Sequence, residues 1–230
     1  MRNMKLLLVI VCLSAWAATA CKLEASSNSS NANANARSSP VESTGSASQE
    51  PKSNCGLTRA TVPLVEGLKL GMTPEELVTA LPGSKDDPEV KSGLARPASA
   101  LGEFDFVVHT DKLQPKEKFE GIDHFTFGLL DGRVSSINIV YKGPAYSHVD
   151  EFVTKFVKGT NLPPVEQWQG YPGLDTQLKT LVCKDFEVRV FAGGEGGNQN
   201  YVLLSDLEAK KTLKDRRAKA REKASPTTSP

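Results

Sequence analysis

The chain has 230 residues, with 28 Lys and Arg against 27 Asp and Glu, and a formal net charge of +1. So even a balance excludes a global electrostatic attraction to nucleic acid. Beyond the first twenty residues no apolar run is long enough to span a bilayer, so any membrane attachment needs another device.

The elements begin with an export signal. Arg2 and Lys5 precede an apolar stretch from Leu6 to Ala17, interrupted by Ser14 and followed by the small residues Ala18-Thr19-Ala20. Charged, apolar and small segments in that order predict a secretory signal peptide over residues 1–20. Ala18-Thr19-Ala20-Cys21 resembles the lipobox of bacterial lipoproteins. That resemblance implies that Cys21 is acylated, carries palmitate-type chains and becomes the mature N-terminus. Ordinary cleavage at Ala18-x-Ala20 is the alternative. Residues 21–53 are Ser, Asn and Ala with scattered charge, and are expected to form a disordered tether. About 30 such residues span roughly 30 Å on average and could extend to roughly 100 Å.

The mature chain keeps Cys21, Cys55 and Cys183, because Cys12 leaves with the signal peptide. Acylation of Cys21 would leave Cys55 and Cys183 as a pair in an oxidising compartment, so a disulfide is expected between them. Two small buried hydrophobes is the alternative reading.

Residues 54–205 are enough for one α+β domain. Leu70-Gly71-Met72-Thr73-Pro74-Glu75-Glu76-Leu77-Val78-Thr79-Ala80-Leu81-Pro82-Gly83 carries a full helix signature. Thr73 caps, Pro74 suits the first helical position, Glu76 completes a capping box, and Pro82-Gly83 stops the helix. The Ser84–Leu101 stretch lacks periodicity and is read as a long loop. Three strands follow, Glu103–His109, Ile122–Leu130 and Arg133–Tyr141, the last two joined by the hairpin signal Asp131-Gly132.

A second helix capped by Ser147 carries Val149, Phe152, Val153, Phe156 and Val157 as its apolar stripe. Glu75–Leu81 and Asp150–Phe156 align in chemical class, and strands are again expected after the helix, at Leu178–Cys183, Phe186–Phe191 and Tyr201–Leu204. The prediction is therefore two tandem units, residues 64–141 and 146–204, each a helix followed by an antiparallel meander and packed as one domain. Leu77, Val78, Leu81, Phe152, Val153 and Phe156 are expected to be buried against the sheet. A third capping box, Ser205 to Glu208, opens a basic helix over residues 206–223, expected to project into solvent. Its eight cations could meet an anionic surface, or could simply be solvated. Residues 224–230 are expected to form a disordered tail.

The Leu70-Gly71-Met72-Thr73-x-Glu75-Glu76-Leu77 pattern, with Gly83 following, resembles the opening of the SmpA/OmlA family of small outer-membrane lipoproteins. In tandem, the same build resembles β-lactamase-inhibitor-like domains. The resemblance implies a lipoprotein with a helix-plus-sheet domain and a protein-binding role. It places the molecule in the bacterial cell envelope, facing the periplasm and anchored at the outer membrane.

Chemistry-bearing residues are sparse. His109, His124 and His148 lack metal-ligand spacing, and the cysteines form no Cys-x-x-Cys, so neither metal nor cofactor is expected. Gly193–Asn198 lacks the Lys-Ser/Thr of a phosphate loop. No Gly-x-Ser-x-Gly occurs, and no catalytic residue is assigned. Trp168 and Tyr171, in Gln167–Gly173, are the candidate protein-binding contacts, with an inward-packed Trp168 as the alternative. The function expected is a membrane-tethered module for protein binding or envelope assembly. The alternative is a cell-envelope enzyme whose site draws on His109, Asp111 and His124.

Overall fold

The computed structural model describes residues 55–174, 176–193 and 199–224. The expected signal peptide, Cys21, the tether, residues 225–230 and all of the Gly193–Asn198 loop except Gly193 lie outside these residues.

The first helix, α1 (Pro74–Ala80), forms as its sequence dictates. Glu76 N–H donates to Thr73 Oγ1, and Thr73 N–H donates back to the Glu76 carboxylate. Two otherwise unpaired amides are thereby satisfied. The stretch read as a loop is instead a short 3-10 turn, Ser84–Asp86, and a second helix, α2 (Pro88–Ala95). Asp87 caps α2 by accepting from Glu89 N–H at 2.8 Å, and Pro88 occupies the first turn. Gly93 lets α2 lie hard against the first strand, since a Cβ there would come within 2.6 Å of Phe106 Cβ. Asp87-Pro88-Glu89 carries a capping signal like that of α1, but an eight-residue helix containing a glycine gives too little periodicity to support it.

Strands β1 (Glu103–His109), β2 (Ile122–Leu130) and β3 (Arg133–Tyr141) form the first meander. Between β2 and β3, Asp131 and Gly132 both take positive φ, 51° and 73°, as a type I′ hairpin turn requires. Helix α3 (Val149–Val157) opens the second unit. His148, and not Ser147, is its cap, accepting from Asp150 N–H through Nδ1 at 3.3 Å, while Ser147 reaches the Glu151 carboxylate. The strands β4 (Gln169–Gly170), β5 (Leu178–Val182), β6 (Phe186–Phe191) and β7 (Asn200–Asp206) follow.

All seven strands join one antiparallel sheet in the order β1-β2-β3-β7-β6-β5-β4. Each unit is thus a helix followed by a three-stranded meander, and the two meanders meet where β3 pairs with β7. Unit one inserts α2, and unit two adds the two-residue strand β4.

One face of the sheet is the core. Phe106, Phe127, Ile137, Leu204, Val188 and Leu181 lie across it in one register row, and all are buried. Leu68, Leu77, Leu81, Val149, Phe152 and Val153 pack into the same cluster. Val78 and Phe156, expected to be buried, are only partly so. Both lie toward the edge of the apolar stripe, where the helix surface turns to solvent. Cys55 and Cys183 are joined by a disulfide with their Cα atoms 4.6 Å apart.

The C-terminal helix α4 (Leu207–Ala224) is capped by Asp206, not Ser205. Asp206 Oδ1 accepts from the N–H groups of Glu208 and Ala209, at 2.9 and 3.0 Å. None of its residues is fully buried, yet it does not simply project into solvent. Ala209, Thr212, Leu213 and Arg216, at helical spacing, are half-buried along one side. Among the described residues no helix is long and apolar enough to cross a membrane.

Candidate functional site

Helices α1, α2 and α3 pack on one sheet face, and strand alternation turns every second residue to the other. The register resolves this second face into three rows. Nearest α4 lie Asp105, Gly128, Ser136, Ser205, Glu187 and Val182. Across the middle run Val107, Thr126, Asn138, Leu203, Arg189 and Thr180, all exposed or half-buried. Farthest from α4 are His109, His124, Val140, Tyr201, Phe191 and Leu178. The rings of Phe191 and Tyr201 stack at 5.1 Å, and the amide oxygen of Asn138 has no hydrogen-bond donor among the described residues.

Helix α4 forms one rim of this face. Arg216 makes a two-pronged pair with Asp131 at 2.9 and 2.7 Å, and Arg217 meets Glu103 at 2.9 Å. Lys210 reaches Glu187, a buried carboxylate that also takes Arg189 at 3.0 Å. The helix is therefore fastened to β6, to β1 and to the β2–β3 turn, so it bridges both meanders. Small residues in the row beneath it, Gly128, Ser136 and Ser205, leave a groove of about 660 Å³ between helix and sheet, with Leu203 and Leu213 in its walls.

Of the two aromatic contacts expected from sequence, only Tyr171 lies at the surface, 52% exposed on the β4–β5 connection. Trp168 is in the core, and its indole N–H donates to the Pro163 carbonyl at 3.0 Å. Burial with its one donor satisfied removes Trp168 as a contact.

The structure brings His109 and His124 together but not Asp111. The two histidines face each other across β1 and β2 with ring centroids 5.7 Å apart. Asp111 belongs to the turn after β1 and lines a different hollow, with Thr110, Lys116 and Phe119. In its place stand Asp123, 2.9 Å from His124 Nδ1, and Glu89, 3.9 Å from His109 Nε2. Glu89 was hidden from sequence reasoning because it arrives on α2.

No protein-family model matches the chain, and no curated protein matches it. Among solved structures it is similar to a cysteine-rich secretory protein from Staphylococcus aureus subsp. aureus Mu50, with 9% identity and a TM-score of 0.31. The match covers 60% of this chain and 44% of that one, so it spans less than half the length of that protein. At that score nothing is carried over from it.

The electrostatics of the site are those of paired carboxylates. The hydrogen bond from His124 holds the Asp123 carboxyl below its ordinary range, and that from Arg216 does the same for Asp131. For Asp87, burial pushes upward, but the Glu89 amide and Lys112 outweigh it and the carboxyl titrates low. Groups depressed on folding contribute stability above their unfolded pKa, near 3.9, and lose it as pH falls through the lower folded values. Glu66, raised by burial, works in the opposite sense. The thermal midpoint is therefore expected to hold from pH 7 to about 5 and to fall below about 4. Asp87→Asn should flatten that fall, because Asn keeps the cap and removes the titration. A midpoint rising on acidification would contradict it.

Proposed function

We propose that the protein is a lipid-anchored lipoprotein of the bacterial cell envelope, facing the periplasm. Acyl chains on Cys21 hold it in the outer membrane, and its folded domain engages another protein. The observation that carries this reading is the open second face of the seven-stranded sheet. It spans both meanders, offers Val107, Leu203, Arg189 and the Phe191–Tyr201 stack, and is rimmed by α4. Aromatic and Arg side chains set in a polar surround are the usual composition of a protein-binding centre. The resemblance of Leu70–Gly83 to the small outer-membrane lipoproteins, and the lipobox-like Ala18–Cys21, point the same way. Lys211, Lys214, Lys219 and Lys223 are exposed on α4 and would favour an anionic membrane surface nearby.

A photo-crosslinking residue at position 107, in intact envelopes, is expected to capture one discrete partner that the same residue at position 75 on α1 does not. Tyr201→Ala should reduce the yield about tenfold or more, the size of a hot-spot loss. Equal capture from both faces would overturn the binding role. Cys21→Ala should release the protein from membranes, and unchanged partitioning would overturn the anchor.

A further inference from the structure

The histidine pair on the open face is independent of that binding role. We propose that His109 and His124 form a binding site for a divalent transition-metal ion of the zinc type. Antiparallel register places the two residues directly opposite each other on one sheet face, with ring centroids 5.7 Å apart and planes inclined at 52°. An ion held at about 2.0–2.1 Å from one nitrogen of each ring needs two imidazoles to converge in this way. Side-chain rotation alone can supply the rest, because the paired strands already fix both Cα positions.

The surroundings of His124 are those of a metal ligand. Its Nδ1 lies 2.9 Å from Asp123 Oδ2. An ionised carboxylate can only accept, so in the neutral ring Nδ1 carries the proton and Nε2 keeps its lone pair for an ion. A carboxylate behind the distal nitrogen is the usual support of a metal-bound imidazole. Gln199 braces that carboxylate by donating to the same Asp123 oxygen at 3.4 Å. On the other side, Glu89 Oε2 lies 3.9 Å from His109 Nε2, and all three side chains line one hollow at the sheet edge. His109 is 48% exposed and His124 22%, so an ion can reach both.

Among the described residues no three His, Cys, Asp or Glu side chains already converge on one point. The site therefore rests on two imidazoles, with water in the remaining positions and Glu89 near enough to enter as a third ligand. That composition selects imidazole-seeking ions over calcium or magnesium, which require several oxygen ligands. It also makes the ion exchangeable, unlike a closed four-ligand structural zinc.

Titration calorimetry of the full-length protein with zinc chloride alone tests this. One ion per chain is expected to depend on both histidines, with His109→Gln and His124→Gln each weakening binding about tenfold or more. Asp123→Asn should weaken it about tenfold, as loss of an outer-sphere partner does, without removing it. Calcium chloride should give no heat. Half-exposed His109 can be replaced without disturbing the core, so His109→Gln keeps the test clear of folding effects, and an unchanged circular dichroism spectrum verifies this. No zinc uptake by the parent protein, or undiminished uptake by the double His109→Gln/His124→Gln variant, would overturn the site.

Discussion

Replacing Cys183 by Ala is expected to lower the unfolding free energy by up to about 5 kcal/mol, the value the chain-entropy model gives for a loop of this length. The bond closes a separation of 128 residues and ties Cys55 to the end of β5. Cys183 is 1% exposed, and Cys55 packs against the same core. Neighbouring contacts follow the bond. Lys184 N–H donates to the Leu57 carbonyl at 3.2 Å, and Arg59 N–H donates to Asp185 at 2.5 Å. Without the disulfide these contacts become a local equilibrium, and the first residues of the domain should exchange amide protons early. Urea unfolding of the parent protein with and without reductant should show the same loss, and the Cys183→Ala variant should show no further loss on reduction. A parent protein indifferent to reductant would refute the expectation.

Asp206→Ala should be the next most damaging change, at about 3 kcal/mol. The carboxylate is buried at the end of β7 and does two jobs. Its Oδ1 takes the first amides of α4, and its Oδ2 takes the Arg59 guanidinium. Loss of an N-cap costs about 1 kcal/mol, and loss of a charge-assisted hydrogen bond at a buried group about 1.5–3 kcal/mol. Asp206→Asn keeps a capping oxygen and should recover roughly the first part. Because α4 closes the rim of the open face through Lys210, Arg216 and Arg217, the Ala variant should also loosen that rim. Helix loss near 222 nm ahead of the main unfolding transition would report it. A single unshifted transition would show that α4 does not depend on the cap.

Much of the architecture was legible because it rests on local rules. Thr73-Pro74-Glu75-Glu76 can do little but start a helix, and Asp131-Gly132 between alternating apolar strands can do little but form a tight hairpin. Strands β1, β2 and β3 run over the same residues that alternation marks. The repeated order of helix and meander was likewise written in the chain. The misses were equally physical. The caps at His148 and Asp206 lie one residue from those expected, since neighbouring Ser, His and Asp can all cap and packing chooses among them. Helix α2 is too short for a period, and Trp168 could have turned either way until the core took it.

The open face was much less legible than the fold. Composition and spacing did not expose the three rows across the sheet, and the one grouping they offered set His109 and His124 beside Asp111, which does not join them, because strand register decides both. Glu89 was invisible for the same reason, since its approach depends on how α2 packs on β1. By itself the sequence determined α1, α3, α4 and the strands of the two meanders, with their order and repeated pattern, which are set by capping, turn chemistry and periodicity within a few residues. Tertiary structure alone decided which sheet face stays open, which carboxylates fasten α4 and which side chains face one another. Those outcomes depend on long-range pairing, which local chemistry permits but does not choose.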